Sequence, residues 1–283
     1  MDRPKKQVVA QKKTESGPGL TKRDYFFMIA CAVVLVICGP YVYYSVKIYR
    51  YMEANSETMA GPDFVFPKWH DLWITLVSAL CIYVSKKVII FVMQPVLFKL
   101  SKKVEKESEE LFRLKAGKSA IKFQSTFWHI FASVYAWIVL RNQTWLPWYL
   151  GGEGELINGF TNMPFQPIDQ SVYVFGLITL GNPLEASLEH FFWKEKNPDF
   201  AEMALHHVVQ LSLVSASVLG NCLNIGTMIA FLHDVSDIGI QLAKMLHLMG
   251  YNFPWSLVSF LFGQVAWLYL RLFCLPTLIH AYG

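Results

Sequence analysis

Long apolar runs recur along this 283-residue chain and dictate what its backbone can do. A stretch of about 20 mostly apolar residues is long enough to cross a bilayer as a helix. Inside hydrocarbon no water satisfies the peptide groups, so a spanning segment is helical or part of a closed barrel, and unbroken runs of this length select the helix. Windows of this kind fall at 24–46, 69–98, 119–140, 170–192, 201–219, 223–247 and 254–281. The expected fold class is all-α: a polytopic transmembrane helical bundle with about seven spans. Hydrophobic residues make up 54% of the chain and charged ones 16%, which is more apolar than soluble domains usually are.

The basic residues orient the bundle. Seven Lys and Arg lie in the arm 1–23, and eight fall between Lys99 and Lys122. The positive-inside rule puts both in the cytosol, together with the fourth and sixth loops. The chain then divides into a basic cytosolic N-terminal arm (1–23), two spans with a basic cytosolic loop (24–117) and a polar-centred domain (118–283). The second span, 69–98, is interrupted by Lys86-Lys87 and reads as tilted or partly interfacial. Trp69, Trp145, Trp148, Trp193 and Trp255 sit near span ends, as an interfacial belt requires. Cys31, Cys38, Cys81, Cys222 and Cys274 form no CxxC pair and read as small core hydrophobes. A dispersed formal charge of +4 does not suit nucleic-acid binding.

Between His206 and Asp237, five ionisable groups stand inside two of these apolar windows: His206-His207, and His233, Asp234 and Asp237 in the run H-D-V-S-D. Each Asp at a helix centre costs roughly 2.5–3.5 kcal/mol on insertion scales, so such residues usually mark function. A hairpin turning at Gly220-Asn221 sets His207 level with Asp234, about 20 Å from the turn at 1.5 Å per residue. On the later helix His233, Asp234, Asp237, Gln241 and Lys244 share an arc of about 100°. That stripe should face the bundle interior and line a polar cavity open to the cytosol. Neutral imidazole is a nucleophile or general base, and a carboxylate beside it stabilises its cation. Acyl transfer to an amine suits this set, with an acyl-imidazole as intermediate or with imidazole as base only. Structural readings stand beside it: His207 as a hydrogen-bonding helix contact, and Asp237 paired with Lys244. Metal binding is a third reading, but the chain lacks HxxHH and HxxxH boxes, and His129 and His190 are isolated in sequence. No metal is expected.

At these residues the chain resembles a ceramide synthase of the TLC-domain superfamily. The stretch H-H-V-V-Q-L-S-L-V-S-A-S-V-L-G-N-C-L-N-I-G-T-M-I-A-F-L-H-D-V-S-D is similar to the family's doublet and HDxxD at the family's spacing. Asn221, Gly226, Thr227 and Lys244 fall on positions the family fills this way. Lys122-Phe123 with Trp128 resembles its KFxxSxW entry, Asp199-Phe200 with Met203 and Leu205 its DFxxMxLHH lead, and Arg271 with Pro276 its RxxxxP. Gln210, Asn224 and Gln241 depart from a usual Thr, Arg and Glu, and no homeobox-like insertion precedes the domain.

The resemblance implies a TLC-type helical barrel in the endoplasmic-reticulum membrane. It implies an N-acyltransferase that joins the acyl group of a fatty acyl-CoA to a sphingoid base (sphinganine or sphingosine), with no cofactor beyond acyl-CoA as substrate. His206 and His207 are then the catalytic pair, with His206 as acyl acceptor and His207 or Asp234 as its support, and Asp234 and Asp237 are the essential carboxylates. His233, Gln241, Lys244 and Asn221 are expected to contact substrate. The family continues through one further helix beyond the position of Gly283, so either this is a shortened member, in which membrane lipid or a homo- or heteromeric partner is expected to close the wall, or the sequence is incomplete. The rival readings are a non-enzymatic TLC-domain membrane protein in lipid sensing or trafficking, and an acyltransferase with another amine acceptor.

Overall fold

The computed structural model describes residues 22–61, 64, 66, 68–103, 107–193 and 200–280. All but the last two residues of the basic arm lie outside that set. The architecture is helical, and the one β feature among the described residues is an isolated bridge between Pro147 and Gly154. Each apolar window becomes a helix: α1 Lys22–Met59, α2 Leu72–Leu100, α3 Glu109–Leu140, α4 Gln170–Phe192, α5 Phe200–Leu219, α6 Leu223–Leu248 and α7 Leu257–Trp267. A π-helical stretch, Leu268–Cys274, joins α7 to α8, Leu275–His280. By length and composition alone, three helical segments among the described residues could cross a membrane: Trp69–Leu100, Phe200–Leu219 and Asn252–Leu278. The helices α3, α4 and α6 hold His129, Glu185, Glu189, Asp234 and Asp237, which lower their apolar character.

Helix starts follow from capping. α3 begins well before its apolar window because Ser108 Oγ accepts a hydrogen bond from the Leu111 amide at 3.2 Å, with Glu109 and Glu110 in the first turn. Hydrogen bonds from Lys103 and Arg113 hold the Glu109 carboxyl below its ordinary pKa. At α4 the Asp169 carboxylate accepts from the Ser171 amide at 2.7 Å. Hydrogen bonds from the Ser171 hydroxyl, and then from that amide, keep its pKa low.

Small residues set the spacing between helices. Thr75 and Ser78 on α2 donate to the carbonyls of Leu177 and Ile178 on α4, both at 2.9 Å, where Gly181 meets Ser78 and Ala79. Gly239 on α6 faces Gly263 on α7 so closely that a Cβ on Gly239 would stand 2.6 Å from the Gly263 Cα. Such contacts suit helices whose association rests on packing and hydrogen bonds. α6 runs between α3 and α7, α4 bridges α2, α5 and α6, and α1 lies along α5. Large apolar side chains such as Leu80, Phe91, Phe262 and Val265 point outward, as lipid-facing positions would.

The main core gathers residues of α3, α4, α6 and the terminal helices, and the loop 141–169 folds over one end of it, burying Trp145, Leu146 and Leu150. Trp145 is therefore a core residue, contrary to the interfacial role expected of it. Trp69, Trp148, Trp193 and Trp255 are exposed. Of the cysteines, Cys38 and Cys274 are buried but Cys81 is exposed on the outer face of α2, so its expected core role is not met. Lys86 does not interrupt α2. The helix runs through it because the side chain turns toward α4, reaching Glu185 at 3.4 Å and binding Glu189.

Candidate functional site

The turn between α5 and α6 is built on Asn221, whose φ of 54° lies in the left-handed region that Asn tolerates. Its side-chain amide donates to the carbonyls of Pro164 at 2.7 Å and Gln166 at 3.2 Å, and the Gln166 amide donates back to the Asn221 carbonyl. Asn221 is thus the anchor of the 141–169 loop. It lies roughly 20 Å along α6 from Asp234 and does not join the polar stripe.

On α6 the stripe is shared between two neighbours. Asp234 Oδ1 and His129 Nδ1, on α3, are 2.8 Å apart. Asp237 Oδ1 accepts from Arg271 Nη2 at 2.8 Å, and Arg271 Nε donates to Ser236 Oγ at 3.1 Å. Arg271 belongs to the π-helical stretch, a form that often occurs at functional sites. Asp237 accordingly takes its cation from Arg271 and not from Lys244, which is exposed. Although three residues apart and on one face, the two carboxylates pair with different neighbours because α6 lies between α3 and the terminal helices. His233 donates from Nδ1 to the Ile229 carbonyl at 2.8 Å, which leaves Nε2 as its basic nitrogen. The buried Oε1 of Gln241 has no hydrogen-bond partner among the described residues. Asp234 also forms part of the wall of a small cavity between α3 and α4, with Trp128, Phe131, Tyr135, Phe175 and Asn182.

The histidine doublet on α5 has different neighbours. His207 is buried and His206 exposed, their ring centroids 5.7 Å apart. The His207 ring lies 5.1 Å from that of His190 on α4, which stacks on Phe200 at 4.3 Å. His190 Nε2 hydrogen-bonds the Phe200 carbonyl at 2.9 Å, which ties the start of α5 to the end of α4. Four groups of this region escape a reading by motif: His129, His190, and the pair Glu185 and Glu189 that neutralises Lys86. Each was visible as a polar residue inside an apolar window, the signal that singled out the doublet.

The TLC domain pattern matches residues 118–283, more than half of the chain. The chain belongs to the TLC-domain family. The matched segment holds α5, α6 and all eight candidate site residues. This TLC-domain chain is 31% identical over 158 residues to "ASC1-like protein 3" of Oryza sativa subsp. japonica, covering 55% of the chain and 54% of the relative. It is 25% identical over 164 residues to "Ceramide synthase hyl-1" of Caenorhabditis elegans, covering 56% and 42%. With human "Ceramide synthase 4" identity is 34% over 116 residues, covering 41% and 29%. The alignments thus span about half the length of these curated relatives, or less.

Proposed function

We propose that this TLC-domain protein is a ceramide synthase: it transfers the acyl group of a fatty acyl-CoA to the amine of a sphingoid base. The observation that carries the reading is the coincidence of two things in one segment. The segment that matches the TLC domain is also the one whose apolar helices hold His206, His207, Asp234 and Asp237, and relatives of the chain are named ceramide synthase. Imidazole can take the acyl group or the amine proton, and carboxylates balance the positive charge that either step creates.

In this reading His206 accepts the acyl group, with His207 or Asp234 in support, and Asp237 is held by Arg271 as a fixed charge. His233, Gln241 and Lys244 contact substrate along α6, whereas Asn221 serves the turn. The protein needs no cofactor besides its acyl-CoA substrate. It resides in the endoplasmic-reticulum membrane as a seven-span TLC-type barrel with the N-terminus and the 99–122 segment in the cytosol.

The test is an assay of purified protein with radiolabelled acyl-CoA and sphinganine. N-acyl sphinganine that disappears in Asp234→Ala and Asp237→Ala is the expected result. Acylation of other amines with none of sphinganine would establish a different acceptor. No acylation of any amine by a well-folded protein would leave the lipid-sensing or trafficking reading.

A further inference from the structure

We infer that His129 and Asp234 form a base for the acceptor amine, separate from the doublet that takes the acyl group. The inference rests on the ceramide synthase reading and gives acyl carriage to α5 and proton removal to α3 and α6. The geometry is that of an oriented imidazole. His129 Nδ1 lies 2.8 Å from Asp234 Oδ1, with side-chain exposures of 17% and 13%. A carboxylate oxygen only accepts, so Nδ1 carries the proton and Nε2 keeps its lone pair. This is how the carboxylate of a catalytic triad sets the tautomer of its histidine.

Chemistry requires a base other than His206 itself. Once an imidazole nitrogen holds an acyl group, its lone pair is spent, and the acyl group withdraws density from the other nitrogen. An acylated His206 cannot then deprotonate the incoming ammonium, yet only the free amine is a nucleophile. The described contacts agree with a division of labour. The doublet lies against His190 on α4, whereas Asp234 reaches across to α3. The aromatic rings of Trp128, Phe131, Tyr135 and Phe175 line a small cavity beside Asp234.

Protons and electron pairs balance through the step. His129 Nε2 removes one proton from the ammonium and becomes imidazolium, which Asp234 stabilises. The amine lone pair attacks the acyl carbonyl carbon and forms the C–N bond. The tetrahedral centre collapses, the bond from carbon to the His206 nitrogen breaks, and its electron pair returns to that nitrogen. The second amine proton leaves with collapse and passes to the released imidazole. The His129 proton then goes to solvent.

The experiment compares two acceptors in wild type, His129→Asn and His129→Gln. Sphinganine is an ammonium near neutral pH and needs the base, while hydroxylamine is already unprotonated and does not. The Asn amide stands near the former Nδ1 and can still donate to Asp234, so it separates the hydrogen bond from the basicity. Intact-protein mass spectrometry reads acyl loading from acyl-CoA alone. General-base catalysis contributes about 100- to 10,000-fold. The variants should therefore lose at least about 100-fold in N-acyl sphinganine formation, while acyl loading and enzyme-dependent hydroxamate formation persist. Wild-type rates with sphinganine in either variant would overturn the dyad's role. So would equal loss with both acceptors in both variants. Wild-type protein that loads acyl groups and makes hydroxamate but no N-acyl sphinganine would overturn the substrate reading, and the amine-base role with it.

Discussion

Replacing Lys86 with Met should unsettle the bundle more than any single change on its outer face. The Lys86 ammonium sits 3.4 Å from a Glu185 oxygen and also binds Glu189, with side-chain exposures of 14%, 7% and 31% for the three residues. At an effective dielectric of about 20, a pair at that separation attracts by roughly 5 kcal/mol. Desolvation offsets much of this, so the pair itself adds little. Removing one partner of a buried pair is different, and costs about 3–5 kcal/mol because the other charge stays behind. For a protein of this size each kcal/mol corresponds to about 2–4 °C, so the unfolding midpoint should fall by roughly 6–20 °C. Fluorescence-detected size-exclusion chromatography of heated, detergent-solubilised protein would measure it. The triple replacement Lys86→Met, Glu185→Gln and Glu189→Gln should recover most of the loss, since no charge is left stranded. A Lys86→Met protein as stable as wild type would refute the reasoning. So would a triple variant no better than the single one.

Three further outcomes are expected. Arg271→Met strands Asp237 and should cost about 1.5–3 kcal/mol, the worth of a hydrogen bond to a charged group. The pair Arg271→Gln with Asp237→Asn should regain the thermal midpoint but not N-acylation. Gly239→Leu places a side chain against the Gly263 backbone and should cost about 1–3 kcal/mol by overpacking, read in the same thermal assay. Asp169→Ala should remove a cap worth about 1 kcal/mol, seen as faster hydrogen exchange in the first turn of α4. Because the folded pKa of Asp169 is lowered, that cap is fully present above the ordinary value of about 3.9 and fades only as the pH falls below it through the folded value.

Much of the helix layout was legible in the chain itself. Apolar runs located the helices, and the polar stripe of α6 and the hairpin at Asn221 emerged from spacing alone. Periodicity names a face but not the helix opposite it. His129 looked isolated because Asp234 lies 105 residues further on, and Asp237 suggested Lys244, about two helix turns away, when its partner was Arg271 on another helix. Lys86 looked like a break in α2 for the same reason, since Glu189 is 103 residues distant. Trp145 read as a belt residue because nothing local signals that the 141–169 loop folds back over the core. Asn221 shows a subtler limit. Its place in a family motif suggested substrate contact, yet its hydrogen bonds serve a turn.

The π-helical stretch Leu268–Cys274 makes the aim of Arg271 a matter of counting. Its i→i+5 bonds take one residue more per turn than an α-helix does. Deleting one outward-facing residue there, Leu272 or Phe273, would let the segment wind as ordinary helix, six residues turning through nearly the angle that seven take in the wider form. Cys274 and Leu278, both fully buried, would keep their places in the core. Arg271, inside the rewound stretch, would turn away from Asp237. The extra residue is thus devoted to the direction of one guanidinium, and the molecule could lose it and keep its core.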